Sequence, residues 1–432
     1  MPLTSTRTVL TSVFAIALPG LPVAAGQNKK SSEHWVATWG TAQQFAVPAA
    51  RGRGPGAGRG PAPQQTDRRP PSPVGPIPAK FDDQTVRMIA RAGIGGRRVR
   101  IELSNMIGAE PLELGAAHIA IHKGDGAIVT GTDRALTFSG RKSIIIPPGA
   151  LAVSDPVDLT FAALTDLAVS LYLPHDTGAP TNHPLGLHKT YISHGDVTAS
   201  TALPEPETIF SYVWLSGIDV VAPDNASAIV ALGDSITDGY ATTRDAEQAW
   251  PALLASRLAS SKIPVSVINT GISGNQVLRD GTGASALARL DRDVLARPGV
   301  KWVILLEGIN DINIRGRADG PAALTADELI WGFRQIIDRC HAHGISVLGA
   351  TIMPEEGVPT ASPRGEEIRQ AANRWIRAKG NFDAIVDFDL VVQDPSHPAH
   401  IKDAFDPGDH IHPNDAGNRA MAGAFDLRVF KK

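Results

Sequence analysis

Ala228-Ile229-Val230-Ala231-Leu232-Gly233-Asp234-Ser235-Ile236-Thr237-Asp238-Gly239 is an apolar run that stops at a serine set among small and turn-forming residues. A short unbroken apolar run bounded by turn formers is the pattern of a strand covered on both faces, as in a parallel sheet. Open parallel sheets bind ligands outside the carboxyl ends of their strands, where this run would deliver the Ser235 hydroxyl. A serine there also suits a helix cap. A nucleophile needs more: a base, an acid that orients the base, and donors for an oxyanion.

Downstream of Ser235 the chain alternates between strand and helix patterns. Strands are predicted at 228–232, 265–269, 302–306, 346–351 and 384–388, and amphipathic helices at 248–259, 284–296, 326–343, 365–379 and 414–429. This alternation predicts an α/β domain over 226–432, with a parallel sheet, helices on both faces and right-handed crossovers. Upstream, from 84 to 197, the pattern is short alternating segments separated by turns. Segments 85–92 and 97–103, joined by Gly93-Ile94-Gly95-Gly96, read as a hairpin, and further strands are expected at 117–122, 143–146, 157–161, 167–173 and 189–193. Many short strands with little helix predict a jelly-roll-like β-sandwich over 26–225. Trp35 and Trp39, four apart, are expected on one face of an early strand, as packing groups.

Residues 48–80 are dominated by Pro, Gly, Ala, Gln and Arg, too poor in large apolar groups to offset their ordering entropy, and read as a disordered insertion. The first 25 residues combine Arg7, an apolar stretch and small residues up to Ala25, the pattern of a signal peptide cleaved after Ala25. Pro19 and Pro22 interrupt the stretch, which is too short to span a membrane comfortably, and no cysteine follows to carry a lipid. The mature protein is therefore expected to be secreted or periplasmic. A net charge of -3 supplies no broad basic field, which argues against a nucleic-acid partner. The single cysteine, Cys340, excludes an internal disulfide and a cysteine-cluster metal site, and reads as a small buried residue on a helix.

The loops expected at the active edge of the sheet carry what Ser235 needs. Gly271-Ile272-Ser273-Gly274-Asn275 follows the second strand, Gly308-Ile309-Asn310-Asp311 the third, and Asp409-His410-Ile411-His412-Pro413 precedes the last helix. An imidazole titrates near neutrality and can take the serine proton and return it, which assigns His412 as the base. A carboxylate fixes the tautomer and stabilises the imidazolium, which assigns Asp409, three residues earlier. Asp387 and Asp389, at the end of the fifth strand, are the competing acids. Donors already aimed at the developing oxyanion stabilise the transition state over the ground state. They are assigned as the backbone N–H groups of Ser235 and Gly274 and the side-chain amide of Asn310, with Gly271 the alternative to Gly274. Asn310 and Asp311 also suit a simple turn. Asp409, His410 and His412 form no established metal-ligand set, and His341 and His343 read as surface groups at a helix end.

In order and context, the Gly233-Asp234-Ser235, Gly274, Gly308-x-Asn310-Asp311 and Asp409-x-x-His412-Pro413 blocks resemble the SGNH or GDSL superfamily of esterases and acylhydrolases. The resemblance covers 226 to the C-terminus. It implies a flavodoxin-like three-layer α/β/α domain, the Ser235–His412–Asp409 triad, and no metal or other cofactor. The upstream region resembles, more loosely, β-rich modules preceding the hydrolase domain in some carbohydrate esterases. The loops at 314–324 and 354–362 are polar and Gly/Pro-rich, with no large apolar lid. This favours short acyl esters of carbohydrates or small aryl and alkyl esters over long-chain lipid. A lipase, thioesterase or peptidase using the same residues, or an idle polysaccharide-binding protein on this fold, are the alternatives.

Overall fold

The computed structural model describes residues 33–45 and 77–431. The expected signal peptide and most of the expected insertion lie outside them. Of the insertion, only 77–80 are described; Ile77 packs against the core and Lys80 pairs with Asp176 at 2.6 Å.

The β-rich half is built from β1 (Trp35–Gly40), β2 (Gln84–Arg91), β3 (Gly96–Ser104), β4 (Ala116–Gly124), β5 (Val157–Phe161), β6 (Asp166–Leu173), β7 (Thr190–His194), β8 (Glu207–Ile209) and β9 (Leu215–Val221), with shorter strands between. One antiparallel sheet runs β1-β9-β3-β5 and a second runs β8-β7-β2-β6-β4. The expected hairpin does not form: β2 pairs with β6 and β7, whereas β3 pairs with β9 and β5 in the other sheet. The connecting glycines cross between sheets. Gly93 N–H donates to Thr38 O at 2.8 Å, and Ile94 N–H donates to Thr38 Oγ1 at 3.1 Å. A Cβ on Gly93 would lie 2.9 Å from Ser266 Cβ, so this crossing has no room for a side chain.

The expectation for Trp35 and Trp39 also fails. A bulge between Ala37 and Trp39 shifts the register, so Trp35 faces Val221 and Trp39 faces Ile218. An extra residue reverses the alternation and puts the two indoles on opposite faces. Arg100 stacks over Trp35, and Trp39 meets Tyr212 edge-on. Strand β9, unforeseen in the sequence, is buried along its whole length between β1 and β3.

The second half holds a five-stranded parallel sheet of β10 (Ser227–Gly233), β11 (Val265–Gly271), β12 (Val300–Leu306), β13 (Ser346–Ala350) and β14 (Ala384–Val386), in the order β11-β10-β12-β13-β14. That order is the flavodoxin-like doubly wound arrangement, with its switch point beside β10. Its helices are α1 (Ser235–Asp238), α2 (Trp250–Ser260), α3 (Ala286–Leu290), α4 (Ile309–Arg315), α5 (Ala326–Ala342), α6 (Pro363–Arg377), α7 (Phe388–Val392) and α8 (Asp415–Gly423). In α5 the apolar stripe Leu329, Phe333, Ile336, Ile337 and Cys340 is buried, as a 3.6-residue period requires. Several expected elements differ at their ends, three of them for a visible reason. α3 passes into a π-helical turn over Asp291–Leu295. β14 stops at Val386 because Asp387 caps α7. The last helix ends at Gly423, before a short 3₁₀ turn at Leu427–Lys431.

The apolar side chains of both halves form one continuous core. β1 packs against β11, the edge strand of the parallel sheet. There Ser266 Oγ donates to Ala37 O at 2.5 Å and Ala37 N–H donates to Pro298 O at 2.9 Å.

Candidate active site

The turn between β10 and α1 is tight. A Cβ on Gly233 would fall 2.1 Å from Thr237 Oγ1, so only glycine fits. Asp234 caps α1 by accepting from Ile236 N–H at 2.9 Å. This makes Ser235 the first helical residue, whose N–H has no intrahelical acceptor.

Residues 177 positions apart in the chain meet here: His412 Nε2 lies 2.8 Å from Ser235 Oγ. On the other side of the ring, His412 Nδ1 lies 2.7 Å from Asp409 Oδ2. Asp409 Oδ1 accepts the N–H of His412 at 3.0 Å and of Ile411 at 3.2 Å, so the local turn presets the carboxylate. Burial works to raise the Asp409 pKa, but the bonds from His412 and Ile411 outweigh it and hold the carboxyl below its ordinary range. With Nδ1–H donating to that carboxylate, Nε2 is the acceptor for the serine hydroxyl. Ser235 is 7% exposed, and the Tyr240 ring covers one imidazole face at 4.2 Å.

The rival carboxylates are engaged elsewhere. Asp387 binds Arg377 and Thr351, and Asp389 binds Arg369 and Arg377. His410 pairs with Asp406 at 2.6 Å. His341 is an exposed residue bonded to Asp383, and His343 an exposed one bonded to Arg339 O.

Gly271 N–H donates to the Asn269 side chain at 2.9 Å. Gly274 N–H has no hydrogen-bond partner among the described residues. Gly274 sits at φ +81°, in the left-handed region that disfavours any Cβ. The Asn310 amide donates to Asn275 O at 2.9 Å, which ties the third-strand loop to the second and leaves a further amide hydrogen. Asp311 accepts the N–H groups of Val277 and Leu278 and so braces the same loop from below. Burial pushes its pKa up to about 6 against those bonds.

Beneath the site lies Arg289, 1% exposed and without a signal in the sequence, since an arginine on a short helix ordinarily reads as surface. It donates to Gly233 O at 3.0 Å, Thr270 O at 2.6 Å, Asn275 Oδ1 at 3.0 Å and Asp293 at 3.2 Å, with Glu307 at 3.5 Å. One guanidinium thus joins the carboxyl ends of β10 and β11 to the two loops beyond. Burial raises Asp234 to about 7, helped by repulsion from Asp238 and Asp311, and burial with repulsion from Asp234 raises Glu307 well above the ordinary carboxyl range. Arranged in this way, the site offers a hydroxyl bonded to a carboxylate-oriented imidazole, with N–H groups nearby. That is the equipment for acyl transfer.

Residues 231–420 match the model of the GDSL-like lipase/acylhydrolase family, and the C-terminal half is accordingly a GDSL-like acylhydrolase domain of α/β fold. No curated protein was found to match this chain. Solved structures similar to it include Est24, a carbohydrate acetylesterase from Sinorhizobium meliloti, at 17% identity over 47% of this chain and 98% of that one, TM-score 0.38. The native aryl esterase of M. smegmatis is 19% identical over 47% of this chain and 98% of that one, TM-score 0.38. The lipase/acylhydrolase from Enterococcus faecalis is 21% identical over 48% of this chain and 95% of that one, TM-score 0.36.

Proposed function

We propose that this acylhydrolase domain cleaves carboxylic esters through an acyl-enzyme on Ser235. The observation that carries the reading is the continuous hydrogen-bonded chain from Asp409 through His412 to the Ser235 hydroxyl. Ser235 Oγ attacks the carbonyl carbon while His412 takes its proton, and Asp409 stabilises the imidazolium. The oxygen of the tetrahedral intermediate is held by the N–H groups of Ser235 and Gly274 and the amide of Asn310. Collapse expels the alcohol, which receives the proton from His412. Water, deprotonated by the same imidazole, then releases the acid and regenerates the hydroxyl.

Polar loops after the third and fourth strands support short acyl groups, with acetylated carbohydrate as the first substrate class and small aryl or alkyl esters next. The N-terminal 25 residues support export before the enzyme acts. A fluorophosphonate is expected to label the wild type and not Ser235→Ala. A panel of nitrophenyl esters of graded chain length, run beside acetylated xylan, should give its highest kcat/KM with acetyl. Faster cleavage of octanoyl esters would overturn the substrate assignment, and failure of the wild type to label would overturn the mechanism.

A further inference from the structure

Ser273 and Gly274 share the peptide whose N–H is the proposed second oxyanion donor, and the β-rich half holds that peptide from both sides. On one side stands His183, 3% exposed, between β7 and the strands before it. Its Nδ1 lies 2.8 Å from Ala42 O and its Nε2 lies 2.9 Å from Asp238 Oδ1, in α1. The other oxygen of Asp238 accepts both the N–H of Ser273, at 3.0 Å, and its hydroxyl, at 2.7 Å. A carbonyl and a carboxylate can only accept, so both ring nitrogens of His183 must donate, and the pair is an imidazolium against a carboxylate. Burial opposes the charge, but Asp238 outweighs it and holds the imidazole above its ordinary range.

On the other side, Thr282 Oγ1 donates to Ser273 O at 2.6 Å. Thr282 O in turn accepts Phe45 N–H at 3.0 Å, just beyond β1. The N–H, the hydroxyl and the carbonyl of Ser273 are therefore each fixed by a short path that ends in the β-rich half. A buried ion pair is a poor source of net stability, because desolvation offsets its attraction. Its geometry, however, is rigid.

We infer that His183 is a positioning residue for the esterase: through Asp238 it sets the Ser273–Gly274 peptide, so that the β-rich half completes the oxyanion site of the other half. The inference rests on the function proposed above. It also assigns the β-rich half a part in catalysis separate from any contact with substrate.

The test uses the full chain with His183→Phe, which removes both bonds, His183→Gln, which restores a neutral donor towards Asp238, and Thr282→Val, an exposed isosteric change that removes the second hold. A donor displaced by a fraction of an ångström is expected to lower kcat for nitrophenyl acetate by about 10- to 100-fold. KM should stay within about twofold, because a mispositioned donor acts in the transition state. Affinity for an alkylboronic acid, which forms a tetrahedral adduct, should fall in parallel with kcat, with His183→Gln recovering part of both. Protein amounts are normalised to folded material by thermal unfolding, and if His183→Phe does not fold, Thr282→Val decides. Folded variants with kcat and boronate affinity within twofold of wild type, or with a raised KM and unchanged kcat, would overturn the inference while leaving the esterase intact. An inert wild type would end both.

Discussion

Replacing Arg289 by Met tests whether one buried guanidinium holds the active edge together. The substitution keeps an unbranched side chain but deletes the donors to Gly233 O, Thr270 O and Asn275 Oδ1. Asp293 retains Arg292 as a partner at 2.6 Å, so its charge is not stranded. Gly233 O still accepts from Ile272 N–H at 3.0 Å. Thr270 O lies in the β10–β11 ladder, so the unreplaced losses are the bond at Asn275 Oδ1 and the cation beside Glu307. Hydrogen bonds to a charged group contribute about 1.5–3 kcal/mol each, and breaking a buried ionic cluster costs about 3–5 kcal/mol. A destabilisation of about 4 kcal/mol is expected. At about 2 °C per kcal/mol for a chain of this size, melting should fall by about 8 °C. Turnover should fall further than the loss of folded protein explains, because the Asn275 loop also receives the Asn310 amide. Arg289→Lys should recover little, since an ammonium cannot reach the same spread of acceptors. Thermal unfolding and kcat per titrated active site are the measurements. A variant melting within about 1 °C of wild type with full turnover would refute the reasoning.

Asn310→Ala should lower kcat by about 10²- to 10³-fold with melting nearly unchanged, as measured with nitrophenyl acetate; normal turnover in folded protein would remove Asn310 from the mechanism. Glu307→Gln bears on pH. Its carboxyl is raised in the folded state above an ordinary value of 4.5, so between 4.5 and the folded value the folded chain binds the extra proton and wild-type stability falls as pH rises. Urea unfolding from pH 5 to 8 should show that fall shrink in the variant, by up to about 1.4 kcal/mol per pH unit; an identical slope would contradict it. Removal of residues 1–225 should yield insoluble or unfolded protein, because the two halves share one core; a soluble, active fragment would show separable domains.

The sequence carried the strand-to-serine turn and the loop motifs because each is local: a strand end, a glycine and a polar group within a few residues. Long-range pairings were not legible. The Gly93–Gly96 connection has hairpin composition, yet nothing in it reveals that β2 is flanked by β6 and β7. Strand β9 leaves no clear pattern because Gly217 and Asp219 interrupt its apolar run, and Asp219 is held there by Arg100 at 3.0 Å. His183 and Arg289 were silent for the same reason. Their meaning lies in partners such as Asp238, 55 positions from His183, and Gly233, 56 positions from Arg289.

The contact of β1 with β11 has a consequence for solubility. It runs through side chains of one sheet face: Ser266 Oγ donates to Ala37 O, a Cβ on Gly40 would lie 2.9 Å from Ile268 Cγ2, and β1 reaches β10 as well. Stripped of β1, that apolar face would meet water, and exposed apolar patches of this kind draw separate molecules together.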